Sequence, residues 1–268
     1  MTSFESALEN LDVQLFKTIK SQTRTQDKRS LLACQVAMRS LGDGYVYLEI
    51  GSHLGGSLQP YVLDPLCRRI YSIDKRPLTL PDERGGNLTY YDNSTERMME
   101  NIKRVSEDGA KKIVCIDADA SEIPVDTIDP KPRLCFVDGE HTDRAVVRDF
   151  GFCRRVIAPD GAVLFHDAHI VYLRLEKILK ELEQEKVVFR AYHLPDVVFV
   201  IEFGECRLHA NPAIQHMLVN NHVGYLASLK LNDHFRAFTN RPIFKALRGI
   251  KAQLATVKPV LRRVGAIR

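Results

Sequence analysis

The sequence contains no tryptophan, no CxxC pair and no diproline. No apolar run approaches the roughly 18 residues that a membrane-spanning helix needs, and Val197–Ile201 is among the longest. Six cysteines are scattered at 34, 67, 115, 135, 153 and 206. Cys115 and Cys135 sit inside apolar, strand-like runs, where a thiol behaves as a small hydrophobe. These absences argue against a disulfide scaffold and a zinc finger. The opening residues, MTSFESALENLD, are polar and lack the apolar stretch of a secretory leader. The expected location is therefore the cytoplasm, and the sequons at Asn87 and Asn93 are chance matches. Neither an internal repeat nor a low-complexity stretch is present.

What remains is the composition of an ordinary globular protein: 268 residues, 45% apolar and 27% charged. Charge is uneven. Residues 241–268 hold eight Lys or Arg and no acid, so the net +4 of the chain leaves −4 on the other 240 residues. In that tail Ile243, Leu247, Ile250 and Leu254 form one helical stripe, with Pro242 in its first turn and Pro259 interrupting it. Such a helix packs its stripe on the domain or on a second subunit of a homo-oligomer. A second reading is peripheral contact with the anionic inner face of a membrane, and nucleic acid comes last.

Phe4, Leu8, Leu11, Leu15 and Ile19 predict an amphipathic helix over 4–20, and a second apolar helix is expected over 30–40. Seven β-rich runs follow, at 45–50, 70–74, 112–117, 134–138, 162–166, 187–193 and 197–203. Helix-length segments separate the first five, which argues for a parallel sheet covered on both faces. Only Leu194, Pro195 and Asp196 separate the last two, enough for a hairpin but too few for a parallel crossover. The fold class is therefore α/β: a Rossmann-like, doubly wound, seven-stranded sheet, mostly parallel, with one antiparallel strand near the C-terminal hairpin. The expected divisions are a helical segment over 1–40, the sheet domain over 41–204 and an extension over 205–268. The functional site belongs at the carboxyl ends of the strands.

The first run leads into Glu49-Ile-Gly51-Ser-His-Leu-Gly55-Gly56-Ser57 and then a helix with Pro60 near its start. Strand, glycine turn and helix N-terminus together make an anion- or nucleotide-binding corner. A dinucleotide fingerprint has glycine two residues after the first, where this chain has His53. A side chain there obstructs close approach of a pyrophosphate, so NAD and FAD are disfavoured. Asp74 ends the second run, 23 residues beyond Gly51, where a carboxylate can accept bonds from both ribose hydroxyls.

The string Glu49-x-Gly51-x-x-x-Gly55-x-Ser57 resembles motif I of class I S-adenosylmethionine-dependent methyltransferases, with the spacing of the catechol O-methyltransferase branch. The resemblance covers about 40–205. It implies that Glu49, Gly51, Ser52, His53 and Ser57 form the loop that holds the methionine portion. It implies Asp74 for the ribose, Asp119 and Ala120 for the adenine edge, and Asp138 on the floor of the cofactor site.

Acids also end the second to fifth runs: Asp74, Asp117 with Asp119, Asp138 and Asp167. Carboxylates gathered in one crevice raise each other's pKa or take a cation between them. Asp138 and Asp167 could share a hard divalent ion, and Mg²⁺ suits oxygen ligands with retained water. The alternative is a helix-capping role for one and a backbone amide for the other. Phe136-Val-Asp138-Gly-Glu-His141, Asp149, Pro159-Asp-Gly161 and Leu164-Phe-His166-Asp167 together resemble the signature of metal-dependent bacterial sugar and macrolide-type O-methyltransferases related to macrocin O-methyltransferase. That resemblance implies Asp138 and Asp167 as metal ligands and His141 as the general base. Asp160 departs from the pattern, which has glycine there, and the third protein ligand has no clear position.

The expected activity is S-adenosylmethionine-dependent, Mg²⁺-assisted O-methylation of a hydroxyl on a sugar, glycan or glycosylated metabolite. Metal coordination lowers the pKa of an alcohol, and a histidine accepts its proton. His166 competes with His141 as a residue that orients a ligand or fills the core. His169 and His193 suit the substrate rim or the structure, and His209, His216, His222 and His234 show no metal-ligand spacing. Alternatives are a catechol-like phenol acceptor and a noncatalytic nucleotide-binding or scaffold module. A nucleic-acid methyltransferase lacks its DPPY-type motif here, and an NAD oxidoreductase must accommodate His53.

Overall fold

The computed structural model describes residues 3–76, 78–83 and 85–242. The basic stripe expected from Ile243 onward lies outside the described residues. Helices α1 (Ser3–Glu9) and α2 (Thr25–Arg39) precede the first strand, β1 (Tyr45–Ile50). Next come α3 (Gln59–Leu63), β2 (Cys67–Ile73) and a separate hairpin of β3 (Thr79–Pro81) and β4 (Asn87–Thr89). Helices α4 (Thr95–Val105) and α5 (Glu107–Ala110) lead to β5 (Ile113–Ile116) and β6 (Leu134–Val137). The chain continues through α6 (Asp143–Val156), β7 (Ala162–Phe165), α7 (Tyr172–Gln184), β8 (Phe189–His193) and β9 (Phe199–Phe203). It closes with α8 (Pro212–Gln215), β10 (Asn220–Asn221) and α9 (His222–Thr239).

The main sheet has the order β10-β8-β9-β7-β6-β1-β2-β5. Strands β5, β2, β1, β6 and β7 are mutually parallel, and β9 runs antiparallel between β7 and β8. The α/β class and the antiparallel late strand are as the sequence predicts. The count differs: β10 adds an eighth strand and a third antiparallel pairing, Asn220 against His193 and Asn221 against Tyr192. Two polar residues at an edge pair through their backbones alone, so no hydrophobic alternation marks them.

Every residue of β1 is buried, as expected for the central strand of a sheet covered on both faces. Tyr45 and Tyr47 of β1, Leu134 and Phe136 of β6, and Leu164 of β7 share one core cluster with α2 and α3. Tyr47 stacks on Tyr61 of α3 with ring centroids 3.7 Å apart. On the opposite face Phe150 of α6 meets Phe165 and Phe203. The same first cluster takes in Leu8, Phe16 and Ile19 from the N-terminal stretch and Cys206, Leu208 and Ile214 after β9. One compact unit accordingly runs from Met1 to Tyr225, through the divisions expected at 40 and 204, and a second from Leu226.

The helix expected over 4–20 is broken. α1 stops at Glu9, Leu11 takes a positive φ of 51°, and the Asp12 side chain accepts from Gln14 N–H (2.9 Å) to cap a single 3-10 turn, Val13–Phe16. Gln59, fully buried at the start of α3, explains the break. Its Oε1 accepts from the N–H groups of Thr18 and Ile19, and its Nε2 donates toward the carbonyls of Phe16, Ile19 and Gly56. A helix through Ile19 would have used those groups internally. Among the described residues no helix is long and apolar enough to cross a membrane.

Candidate active site

Strand order turns at β1, whose neighbours β2 and β6 are reached by crossovers on opposite sides, and a crevice opens at their carboxyl ends. Gly51 ends β1 with φ +92°, and a Cβ there would fall inside the carbonyl group of Asp138, so glycine is what lets β1 and β6 close at this corner. His53 follows with φ +45° and donates its backbone N–H to Asp74 Oδ2 (2.8 Å). The other oxygen of Asp74 accepts from Arg76 N–H (2.7 Å). Arg76 turns its guanidinium back to the His53 carbonyl and to Asp117 (3.2 Å), which ties the loop after β1 to the loop after β2.

A cleft of about 500 Å³ lies over this corner. Gly51, His53, Asp74, Asp119, Ala120 and Asp138 line it together. Tyr90, Lys75, Glu140 and Arg148 complete the walls, and none of these four carried a local sequence signal. Asp119 is an anchored acid. Burial would raise its pKa, but Ser121, Arg148 (2.8 Å) and Lys75 outweigh that and hold it below the ordinary value. Glu49 lines neither this cleft nor its neighbour. It lies fully buried behind the loop, accepting from the Tyr47 hydroxyl (2.7 Å) and from Ser57. Burial pushes its carboxyl up to about 8 in spite of those two bonds, and the charges of Asp138 and Asp74 add to the rise. Its reach toward a bound molecule therefore runs through Ser57.

A second, larger cleft joins the first along Gly51, His53, Tyr90 and Asp138. Ser52, Gly56 and Ser57 form its floor, residues 20–24 one wall, and His141, His166, Asp167 and His169 another. The hairpin holds His141 in place: its carbonyl accepts from Glu83 N–H (2.9 Å), beside a bridge between Asp82 and His141. Asp167 follows β7 with φ +48°, a strained conformation for a residue with a side chain.

Where the clefts meet, ligand atoms of Asp138, His141, His166 and Asp167 all lie within 4.8 Å of one another. His166 Nδ1 is 3.0 Å from Asp138 Oδ1 and 3.2 Å from Asp167 Oδ2. His141 Nε2 is 3.6 Å and 3.5 Å from the same carboxylates. Both nitrogens are buried without a hydrogen-bond partner. With protons as the only cations here, burial would raise the Asp138 pKa, but the facing His166 charge brings it down to about 2. Burial likewise works against a charged His166, and Asp138 overcomes it, lifting that pKa well above the usual imidazole value. Two carboxylates and two orphaned ring nitrogens converging on one point fit a divalent cation.

Asp27, on α2, also carried no sequence signal. It is fully buried, its Oδ1 accepts from Val197 N–H (3.0 Å), and its unpartnered Oδ2 stands 3.5 Å from His166 Nε2. His193 lies outside the junction, with Nε2 against the Asp196 carbonyl (2.9 Å) and its ring stacked on Tyr225.

Residues 48–168 match the model of a family described as a methyltransferase domain. An uncharacterized protein of Acanthamoeba polyphaga mimivirus is 26% identical over 125 residues, which are 47% of this chain and 52% of that protein. The match thus spans about half the length of this curated relative. Among solved structures, the calicheamicin methyltransferase CalS11 is similar over 76% of this chain and 94% of its own, at 16% identity and a TM-score of 0.48. TomG of Streptomyces achromogenes, an O-methyltransferase of tomaymycin synthesis solved with SAM, is similar over 74% of this chain and 88% of its own, at 14% identity and a TM-score of 0.48. The family match begins within β1 and ends just past Asp167, so it contains the glycine loop, Asp74, Asp119 and the whole junction cluster.

Proposed function

We propose that the chain is an S-adenosylmethionine-dependent O-methyltransferase whose acceptor is a hydroxyl of a sugar, glycan or glycosylated metabolite. One observation carries the reading: two clefts open into each other across Gly51, His53 and Asp138, with a buried histidine nitrogen at the opening on the acceptor side. In the first cleft Asp74 and Asp119 suit the ribose and adenine, and the methionine end reaches Ser52 and Ser57 at the junction. In this reading the sulfonium methyl faces the second cleft. Methyl transfer is an in-line displacement, so alignment of the two substrates supplies much of the acceleration.

Polar side chains favour a polyhydroxyl acceptor over a planar phenol. The second cleft is lined by Lys20, Ser21, Gln22, Thr23, Arg24 and four histidines, with Leu88, Tyr90 and Val197 its larger apolar or aromatic surfaces. His141 Nε2 is positioned to take the hydroxyl proton, and the hairpin bonds to its backbone keep the ring at the junction. Asp138 and Asp167 would hold a divalent cation, which when bound lowers the pKa of an alcohol beside it.

Calorimetric titration of the full chain with S-adenosylhomocysteine tests the cofactor assignment, and the expected result is saturable binding. His141→Ala should keep that binding while methyl transfer to a panel of sugars falls about 100-fold or more. Absence of binding would overturn the methyltransferase reading, and full activity in the variant would remove the base. Faster transfer to a catechol than to any sugar would replace the acceptor class.

A further inference from the structure

We infer that His166 is a metal ligand, making the junction a mixed nitrogen–oxygen site that selects a first-row transition cation over Mg²⁺. The inference deepens the proposed function and rests on it for the ion's part in transfer, while the site itself rests on the geometry of the junction.

The His166 side chain is 10% exposed and sits at the end of β7, directly before Asp167. Its Nδ1 lies 3.0 Å and 3.2 Å from oxygens of Asp138 and Asp167, yet neither approach has the alignment of a hydrogen bond. An imidazolium placed to bridge two carboxylates would direct its N–H at one of them. A ring nitrogen within 3.2 Å of two carboxylate oxygens and hydrogen-bonded to neither is set to share a third atom with them.

Asp27 biases the proton toward Nε2 through its charge, although neither Nε2 nor Asp27 Oδ2 has a hydrogen-bond partner. Its buried Oδ2 faces His166 Nε2 at 3.5 Å, and Oδ1 is held by the Val197 backbone, so the carboxylate cannot swing away without losing that bond. A carboxylate behind an imidazole keeps the proton on the far nitrogen, fixes the ring plane and leaves the near nitrogen as a lone-pair donor. Asp27 therefore acts as a positioning residue, reaching the ion only through His166. His141 Nε2 stands farther from both carboxylates, which leaves it for proton transfer.

Donor type then decides the ion. Mg²⁺ takes oxygen ligands and holds its waters, whereas imidazole suits Fe²⁺, Ni²⁺, Cu²⁺ and Zn²⁺, and Mn²⁺ accepts it beside carboxylates.

Mn²⁺ alone, added to the chelator-stripped full chain, is the probe. Electron spin-echo envelope modulation should show a coordinated ¹⁴N, and a 100-fold excess of Mg²⁺ should not displace the ion. His166→Gln should abolish the nitrogen signal and weaken Mn²⁺ by about 100-fold. Asp27→Asn should keep the signal and weaken binding about 10- to 100-fold, and His141→Gln should keep the signal. Bound Mn²⁺ without a nitrogen signal, a signal that survives His166→Gln, displacement by equimolar Mg²⁺, or no Mn²⁺ binding each overturns the inference. The wild-type spectrum decides even where a variant fails to fold. S-adenosylhomocysteine titrated into the same sample separates the two readings. Cofactor binding without a nitrogen signal overturns this inference alone, and a nitrogen signal without cofactor binding overturns the proposed function alone.

Discussion

Replacing Glu49 by Gln should change how stability depends on pH. The carboxyl is fully buried under the glycine loop, between Tyr47 and Ser57, and burial sets its pKa at about 8 against an ordinary 4.5. An acid whose pKa is raised on folding binds its proton more tightly in the native state. Between the two values the unfolded chain carries fewer protons, so stability falls as pH rises through that window and levels off above about 8. At roughly 1.4 kcal/mol per pKa unit, the loss between pH 5 and pH 8 comes to about 3.5 kcal/mol. Gln keeps an acceptor for the two hydroxyls and never ionises. The stability of the variant relative to the native chain should therefore grow by about that amount across the interval. Urea unfolding at half-unit steps, with chelator present and cofactor absent, measures the difference, and subtraction cancels groups common to both chains, such as Asp149. A relative stability that stays flat within about 0.5 kcal/mol from pH 5 to pH 8 would refute the buried, neutral Glu49.

Other perturbations probe the corner from different sides. Asp74→Ala removes the acceptor of two backbone N–H groups as well as the carboxylate facing the first cleft. Hydrogen bonds to a charged group are each worth about 1.5–3 kcal/mol, so affinity for S-adenosylhomocysteine should fall about 100-fold or more by calorimetry, and unchanged affinity removes the ribose role. Gly51→Ala should lower thermal stability and cofactor affinity together, because the added methyl meets the Asp138 carbonyl at a positive φ; a variant with native melting and binding would contradict that packing. Gln59→Ala strips partners from the N–H groups of Thr18 and Ile19 and from three carbonyls. A cost of about 3 kcal/mol should appear as a melting temperature lower by roughly 6–12 °C in scanning calorimetry.

The sheet was legible because its strands are short apolar runs whose ends coincide with acids: Asp74, Asp138 and Asp167 each follow the strand expected to precede them. β2 begins at Cys67, three residues before the expected start at 70, because Arg68 and Arg69 are exposed within it and interrupt the apolar signal. β10 and the β3–β4 hairpin carried no period to read. The cofactor-side residues were legible as a local string. The junction was only half so, since His166 stood beside Asp167 in the sequence but its role depends on Asp27, 139 positions earlier. Asp27 in the first turn of α2 looks like any acid at a helix N-terminus, and only the packing of α2 near Val197 gives it a different partner. Glu49 belonged to a recognisable motif, yet whether it touched ligand or core was a question of burial, which spacing does not encode.

Gln59 makes the walls of the two clefts one mechanical part. Its amide grips the stretch that leads into residues 20–24, one wall of the second cleft, and at the same time Gly56, in the loop whose Gly51 and His53 line the first cleft. Neither segment can shift without breaking bonds that fix the other. Order gained in the loop on filling the first cleft is therefore passed to a wall of the second. A chain shortened to the strands and their crossovers would lose this link between the two clefts.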